Sequence, residues 1–232
     1  MDKGIWVIGD VHGSCETLEA LVHKLPDDAQ ICMVGDLVDR GPNSSGVVDF
    51  VSTHDRIDCV LGNHEVFMII NGSDLYADKN WIDNGGRATI LSYAGNLDRY
   101  HKHVQWMKTL PLFKTYDIPG DKALLVSHSF MHGIWKGLDV KLSDQEVGNT
   151  IWEHISRDGG ITWRLPVFAE KYNDHDVFNI FGHSKFKDPL ITESFAAIDT
   201  GAHDLYCGLG VLTAMHYPSM NIIQQENLDD VF

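Results

Sequence analysis

The sequence predicts an α/β fold whose N-terminal half is built on parallel strands, and three observations carry that prediction. Apolar runs of strand length at residues 5–8, 31–34 and 57–61 alternate with amphipathic helical segments. Each run is continuous, as in strands covered on both faces. Each also ends in a short polar block: Gly9-Asp10-Val11-His12-Gly13, then Gly35-Asp36-Leu37-Val38-Asp39-Arg40-Gly41, then Gly62-Asn63-His64-Glu65. A β-α-β-α-β order of this kind calls for right-handed crossovers and a parallel sheet.

Taken in order, Ser14 is placed to cap a helix whose apolar positions Leu18, Leu21, Val22 and Leu25 share one stripe, with Pro26 as its stop. Ser44 or Ser45 is placed to cap a second helix carrying Val47, Val48, Phe50 and Val51. Residues 64–70 turn the third block directly into a helix. Over residues 66–122 the pattern becomes helical and more polar, broken at Asn84-Gly85-Gly86. This stretch reads as a helical insert or cap within one domain spanning residues 1–232. Beyond it, residues 123–127, 177–181, 196–198, 211–217 and 222–225 read as strands. The acidic residues 227–232 read as a frayed end.

Composition narrows the function classes. With 232 residues the chain can bury a sizeable core, and 44% apolar with 22% charged residues is ordinary for a globular protein. A net charge of −15 repels polyanions and argues against nucleic-acid binding. No apolar stretch reaches membrane-span length. Met1-Asp2-Lys3 runs straight into the first strand, so a signal peptide is not expected and a cytoplasmic location is. Cys15, Cys32, Cys59 and Cys207 form no C-x-x-C pair, and Cys32 and Cys59 read as small buried hydrophobes.

The polar blocks carry the chemistry. Ligands of α/β sheets bind beyond the carboxyl ends of strands. Two later places repeat the arrangement, Leu125-Val126-Ser127-His128 and Ile180-Phe181-Gly182-His183. Five strand ends would therefore deliver Asp10, His12, Asp36, Asn63, His128 and His183 to one edge. This mixed oxygen and imidazole set, without thiolate, suits Mn²⁺, Fe or Zn²⁺ better than Ca²⁺ or Mg²⁺ alone. Six ligands suit two ions sharing a bridging carboxylate, about 3.5–4 Å apart, which would turn a bridging water into hydroxide at neutral pH.

Together the three blocks resemble the signature of the PPP family of metal-dependent serine/threonine protein phosphatases, in its short prokaryotic and phage branch. Trp81…Asn84-Gly85-Gly86, Gly182-His183 and Ile198-Asp199-Thr200-Gly201-Ala202 resemble further motifs of that branch, so the likeness runs nearly end to end. The resemblance implies a calcineurin-like metallophosphoesterase sandwich of two mixed β-sheets flanked by helices. It implies that Asp10, His12 and Asp36 hold one ion, and that Asp36 bridges to a second held by Asn63, His128 and His183. Mn²⁺ is the expected metal. His64 would be the general acid, oriented by Asp39, with Arg40 and Asn63 binding phosphate. The family's second arginine falls on Arg164, with Arg157 in reserve, because Trp163 and Arg164 are adjacent here where the branch often separates them.

The expected activity is hydrolysis of phosphoserine and phosphothreonine, with phosphotyrosine within reach, by direct attack of the metal-bridging hydroxide. The partner would be a phosphorylated protein or small phosphoester, and the chain a monomer. The alternative is a dinucleoside polyphosphate hydrolase, acting for example on diadenosine tetraphosphate. That class tends to carry a larger cap, so the short chain weighs toward the phosphatase. A noncatalytic scaffold is a third alternative, opposed by the presence of His64, Asp39 and Arg40.

Other residues have simpler readings. Trp6, Trp106, Trp135 and Trp152 read as packing residues, and Asp199 as a turn former. His132 and His203 lie near motif segments and are candidates to line the pocket. Asn84 and Arg87 are candidates to touch substrate. Ser129-Phe130, where the family has small residues, are expected to alter the pocket wall.

Overall fold

Ile5–Ile8 (β1) sends alternate side chains to opposite faces, as a pleated strand must. Ile5 and Val7 enter one apolar cluster, and Trp6 and Ile8 enter another. This computed structural model describes residues 4–71, 78–131, 148, 151–152, 177–205 and 208–229. The strands continue with β2 (Gln30–Met33), β3 (Ile57–Cys59), β4 (Phe113–Tyr116), β5 (Ala123–Ser127) and β6 (Val177–Phe181). They end with β7 (Leu190–Ile191), β8 (Phe195–Ala197), β9 (Val211–Tyr217) and β10 (Ile222–Glu226).

Two five-stranded mixed sheets result, with orders β10-β9-β1-β2-β3 and β4-β5-β6-β8-β7. In the first, β1, β2 and β3 run parallel, and β9 and β10 are antiparallel additions. In the second, β5, β6 and β8 run parallel between antiparallel edges. The sheets face each other through one core, where Val7, Cys32 and Val34 meet Val126, Phe178 and Ile180. The fold class read from the sequence is the one found.

Helices α1 (Cys15–Val22) and α2 (Ser44–Thr53) cover the outer face of the first sheet, burying Leu18, Leu21, Val47 and Val48 against Trp6 and Ile8. Helix α3 (Asn63–Ile70) starts at the third polar block itself. The insert then forms a short α4 (Lys79–Trp81), a π-helical turn (Ile82–Gly86), α5 (Arg87–Ser92) and α6 (Leu97–Met107).

Several local expectations need correction. Asn43, not Ser44 or Ser45, caps α2, its side chain accepting the Gly46 N–H at 2.9 Å. Ser14 precedes α1 without a side-chain capping bond. The Asp229 carboxylate takes that role from the far end of the chain, accepting the N–H groups of Glu16 and Thr17 at 3.1 and 3.0 Å. A buried Asp229 means that residues 227–229 are docked rather than frayed. The segment at 66–122 is helical only to Met107, because β4 inside it pairs with β5. Cys32 and Cys59 are buried as expected.

Candidate functional site

Parallel pairing aims strand ends at a common edge. β1 delivers Asp10 and His12, β2 Asp36, β3 Asn63, β5 His128 and β6 His183, and hydrogen bonds tie these ends together. The Asp10 carboxylate accepts the His183 N–H at 3.1 Å, and Asp36 Oδ1 accepts the His64 N–H at 3.0 Å. Gly182 permits the first contact, since a Cβ there would overlap the Asp10 carboxylate. The backbone itself is forced. Among the described residues six non-glycine residues take positive φ, and five are His12 (46°), Asp36 (51°), Asp39 (72°), Arg40 (67°) and His183 (64°). Such conformations cost on the order of 1–3 kcal/mol each and cluster at functional sites.

Imidazole orientation shows what the site can hold. His12 Nδ1 donates to the Val38 carbonyl at 2.8 Å, and His128 Nδ1 donates to the Val34 carbonyl at 2.9 Å. Each ring therefore turns an Nε2 lone pair inward, the arrangement of metal-ligating histidines. Burial, chiefly, lowers both pKa values and keeps these rings neutral. His128 Nε2 then faces Asn63 Oδ1 at 2.8 Å and Asp36 Oδ1 at 3.4 Å, so acceptor lone pairs converge. A cation is the group that such convergence fits. On the other side, the Arg40 guanidinium supplies positive charge to the His12 Nε2 lone pair at 2.6 Å.

Two donor triads form around one carboxylate: His12, Asp36 and His64, and Asp36, His128 and His183. Asp36 is common to both, the geometry expected of a bridging ligand. Burial raises its pKa, but His128, His64, His183 and Arg40 outweigh burial and hold it at about 2. Asp10 lies farther out, its Oδ2 4.0 Å from His12 Nε2. Burial, Asp199 and Asp36 raise the Asp10 pKa, so this carboxyl accumulates the repulsion that bound cations would relieve.

His64 is held differently. Its Nδ1 donates to Asp39 Oδ2 at 2.6 Å, and its Nε2 meets the Arg40 guanidinium at 2.9 Å. Burial lowers its pKa, but Asp36 and Asp39 raise it more, so the net shift is upward. Asp39 is braced from the insert. Trp81 Nε1 donates to both carboxylate oxygens at 3.0 and 2.9 Å, and the Thr89 hydroxyl donates to Oδ1 at 2.6 Å. The Gly85 carbonyl accepts the Arg40 N–H at 3.1 Å. Gly85 takes φ +103°, and a Cβ there would press on Arg40 Cγ, so glycine is required where the insert touches the block.

Sequence reasoning named Glu65 and Trp81 within motifs without giving them tasks, and passed over Thr89. Glu65 is fully buried and binds two blocks together, accepting the N–H groups of Asp36, Leu37 and Gly62 at 2.8–2.9 Å. Burial and the nearby Asp36 push it up to about 7. Its signal in the sequence is a Glu at N3 of a helix opening on glycine. Asp199 forms the expected turn, accepting the Gly201 N–H at 2.9 Å. His203 does reach the site, its ring edge-on to His12 with centroids 4.6 Å apart.

Asn84 instead donates to the Asn80 carbonyl at 2.8 Å, and Arg87 is exposed. Phe130 packs among Phe181 and Phe195 in a buried aromatic cluster. Trp152 packs against Phe67 yet stays 43% exposed, whereas Trp6 is buried and Trp106 packs partly buried. Arg164, Arg157, His132 and Trp135 lie outside the described residues.

Comparison with known proteins agrees with this geometry. The chain is 34% identical over 229 residues to a symmetrical bis(5'-nucleosyl)-tetraphosphatase of Buchnera aphidicola, covering 94% of this chain and 74% of that protein. It is 26% identical over 238 residues to the asymmetrical bis(5'-nucleosyl)-tetraphosphatase PrpE of Bacillus cereus, covering 94% and 92%. The fold matches a Saccharomyces cerevisiae protein serine/threonine phosphatase with similarity to human phosphatase PP5. That match has a TM-score of 0.66 at 16% identity and covers 99% of this chain and 81% of that one. No helix among the described residues is long and apolar enough to cross a membrane. Residues 4–206 match the model of the calcineurin-like phosphoesterases, and the chain belongs to that family.

Proposed function

We propose that the chain is a dinucleoside polyphosphate hydrolase that splits a phosphoanhydride of substrates such as diadenosine tetraphosphate. The observation that carries the reading is the 34% identity, over nearly the whole chain, to a symmetrical bis(5'-nucleosyl)-tetraphosphatase. Chain length no longer weighs against it, because the chain spans 92% of an asymmetrical relative's length. Hydrolysis of phosphoserine and phosphothreonine is the second reading, favoured by the likeness of the three polar blocks to protein phosphatases.

In this proposal Asp10, His12 and Asp36 hold one divalent ion, and Asp36, Asn63, His128 and His183 hold the other. When bound, the ions supply Lewis acidity at the phosphoryl oxygens and acidify a water for attack. Mn²⁺ is the proposed metal, since imidazole and carboxylate ligands suit it. Arg40 offers a planar fork that matches two phosphate oxygens. The water oxygen forms the new P–O bond, the anhydride P–O bond breaks, and the leaving nucleotide takes a proton from His64 Nε2. Asp36 and Asp39 favour the protonated imidazole, and Asp39 aims it.

The test is product analysis with Mn²⁺-loaded protein. Diadenosine tetraphosphate should yield ADP alone, or AMP with ATP, and strong chelation should abolish turnover until Mn²⁺ is restored. Intact diadenosine tetraphosphate alongside phosphate release from a phosphoserine peptide would overturn the reading in favour of the second one.

A further inference from the structure

Helix α3 carries the site outward. His64 stands in its first turn, and Phe67 follows three residues later on the same side of the helix. Their rings meet edge-on, with centroids 5.7 Å apart and planes at 81°. Trp152 in turn packs edge-on against Phe67, with centroids 5.2 Å apart and planes at 78°. Three aromatic rings thus step outward from the acid in contacts of 5–6 Å. Trp152 remains 43% exposed, and Ile70, one turn beyond Phe67, is 69% exposed. Trp81, the indole that braces Asp39, is by contrast 1% exposed. A large aromatic left half in water beside a catalytic edge has contact area to offer a ligand.

Position identifies that ligand. In the proposed reaction His64 gives its proton to the leaving nucleotide, so whatever adjoins His64 on the outward side adjoins the leaving group. Arg40 offers charge to phosphates and the donor triads offer lone pairs to cations, whereas Phe67 and Trp152 offer aromatic ring surface. A nucleobase is the part of the substrate with a neutral π-face and no need of a counter-charge. We propose that Phe67 and Trp152 form a stacking shelf for the nucleobase of the leaving nucleotide. This assignment rests on the tetraphosphatase reading and gives it a base-binding subsite. Stacking without hydrogen-bond readout accepts any base, so guanosine and adenosine substrates should be handled alike.

ADP and inorganic pyrophosphate, which share a diphosphate and differ by the nucleoside, are titrated into Mn²⁺-loaded wild type, Trp152→Ala and Trp152→Phe. Trp152→Ala should weaken ADP binding by about 5- to 150-fold, the range that ~1–3 kcal/mol of base stacking gives. Pyrophosphate binding should stay unchanged, and Trp152→Phe should recover most of the ADP affinity. KM for diadenosine tetraphosphate should rise in Trp152→Ala with little change in kcat. Equal ADP affinity in wild type and Trp152→Ala would overturn the shelf, as would equal losses for ADP and pyrophosphate. A drop confined to phosphopeptide turnover would assign the shelf to a peptide side chain and also overturn it. Failure of wild type to cleave diadenosine tetraphosphate would sink the tetraphosphatase reading, while ADP titration would still decide the shelf by itself.

Discussion

The rings of His12 and His128 hang from main-chain carbonyls, whereas the ring of His64 hangs from a carboxylate. A carbonyl carries no full negative charge, so its hydrogen bond raises the imidazole pKa less than burial lowers it, and the net shift of both rings is downward. The outcome is a neutral ring with a lone pair turned inward, which is what a metal ligand needs. The Asp39 carboxylate does the reverse, and with Asp36 it raises the pKa of His64. The same side chain, a few ångströms away, is thereby suited to the proton-donor part proposed for it. The supports differ as well. The proposed ligand rings rely on the sheet ends, while the proposed acid relies, through Asp39, on Trp81 and Thr89, which arrive with the helical insert. Damage to the insert should therefore weaken proton delivery and spare metal binding.

The largest effect should come from His64→Asn. General acid catalysis is worth about 10²- to 10⁴-fold, and kcat on diadenosine tetraphosphate should fall by about 10²-fold, the low end of that range because a leaving phosphate with a pKa near 6 is weakly basic, while metal content stays at the wild-type level. Metal loss in this variant would make His64 a ligand, a part its place in one donor triad also permits.

Smaller effects should follow in the brace. Asp39→Asn removes a cause of the raised His64 pKa, so the proton leaves at lower pH. The alkaline limb of the kcat profile should move to lower pH, and an unmoved limb would detach His64 from that limb. Trp81→Phe leaves the carboxylate in place and removes its indole donor, so kcat should fall by roughly tenfold, in keeping with about 1.5 kcal/mol for a hydrogen bond to a charged group. The smallest effect on activity belongs to Asp229→Ala, far from the edge. It should cost about 1–2 kcal/mol of stability through the lost cap of α1, measured by denaturant unfolding, with kcat unchanged.

The convergence of the proposed metal ligands was legible in the sequence for a physical reason. Asp10, Asp36, Asn63, His128 and His183 each follow an apolar run, and parallel strands bring such positions to one edge. The acid half was only partly legible. The pairing of Asp39 with His64 follows from the family likeness, but the contacts of Trp81 and Thr89 with Asp39 join residues 42 and 50 positions apart. No local pattern encodes such contacts. The positive φ values at His12, Asp36, Asp39, Arg40 and His183 are also invisible, since none is glycine. β4 was missed because its Phe113-Lys114-Thr115-Tyr116 alternation sits in a polar stretch that reads as helix. Asp229 was missed because an acidic tail reads as solvated until α1 is seen to lack its cap. Substrate choice is the least legible part, because chain length, which weighs toward the phosphatase, is a property of caps rather than of the reacting groups, and the relatives favour the alternative.

The two donor triads share Asp36. Metal content and affinity should be measured by titrating Mn²⁺ into wild type, Asp36→Asn and His128→Ala. Sharing predicts that His128→Ala weakens one of the two sites and that Asp36→Asn weakens both. Retention of one ion at wild-type affinity in Asp36→Asn would contradict it.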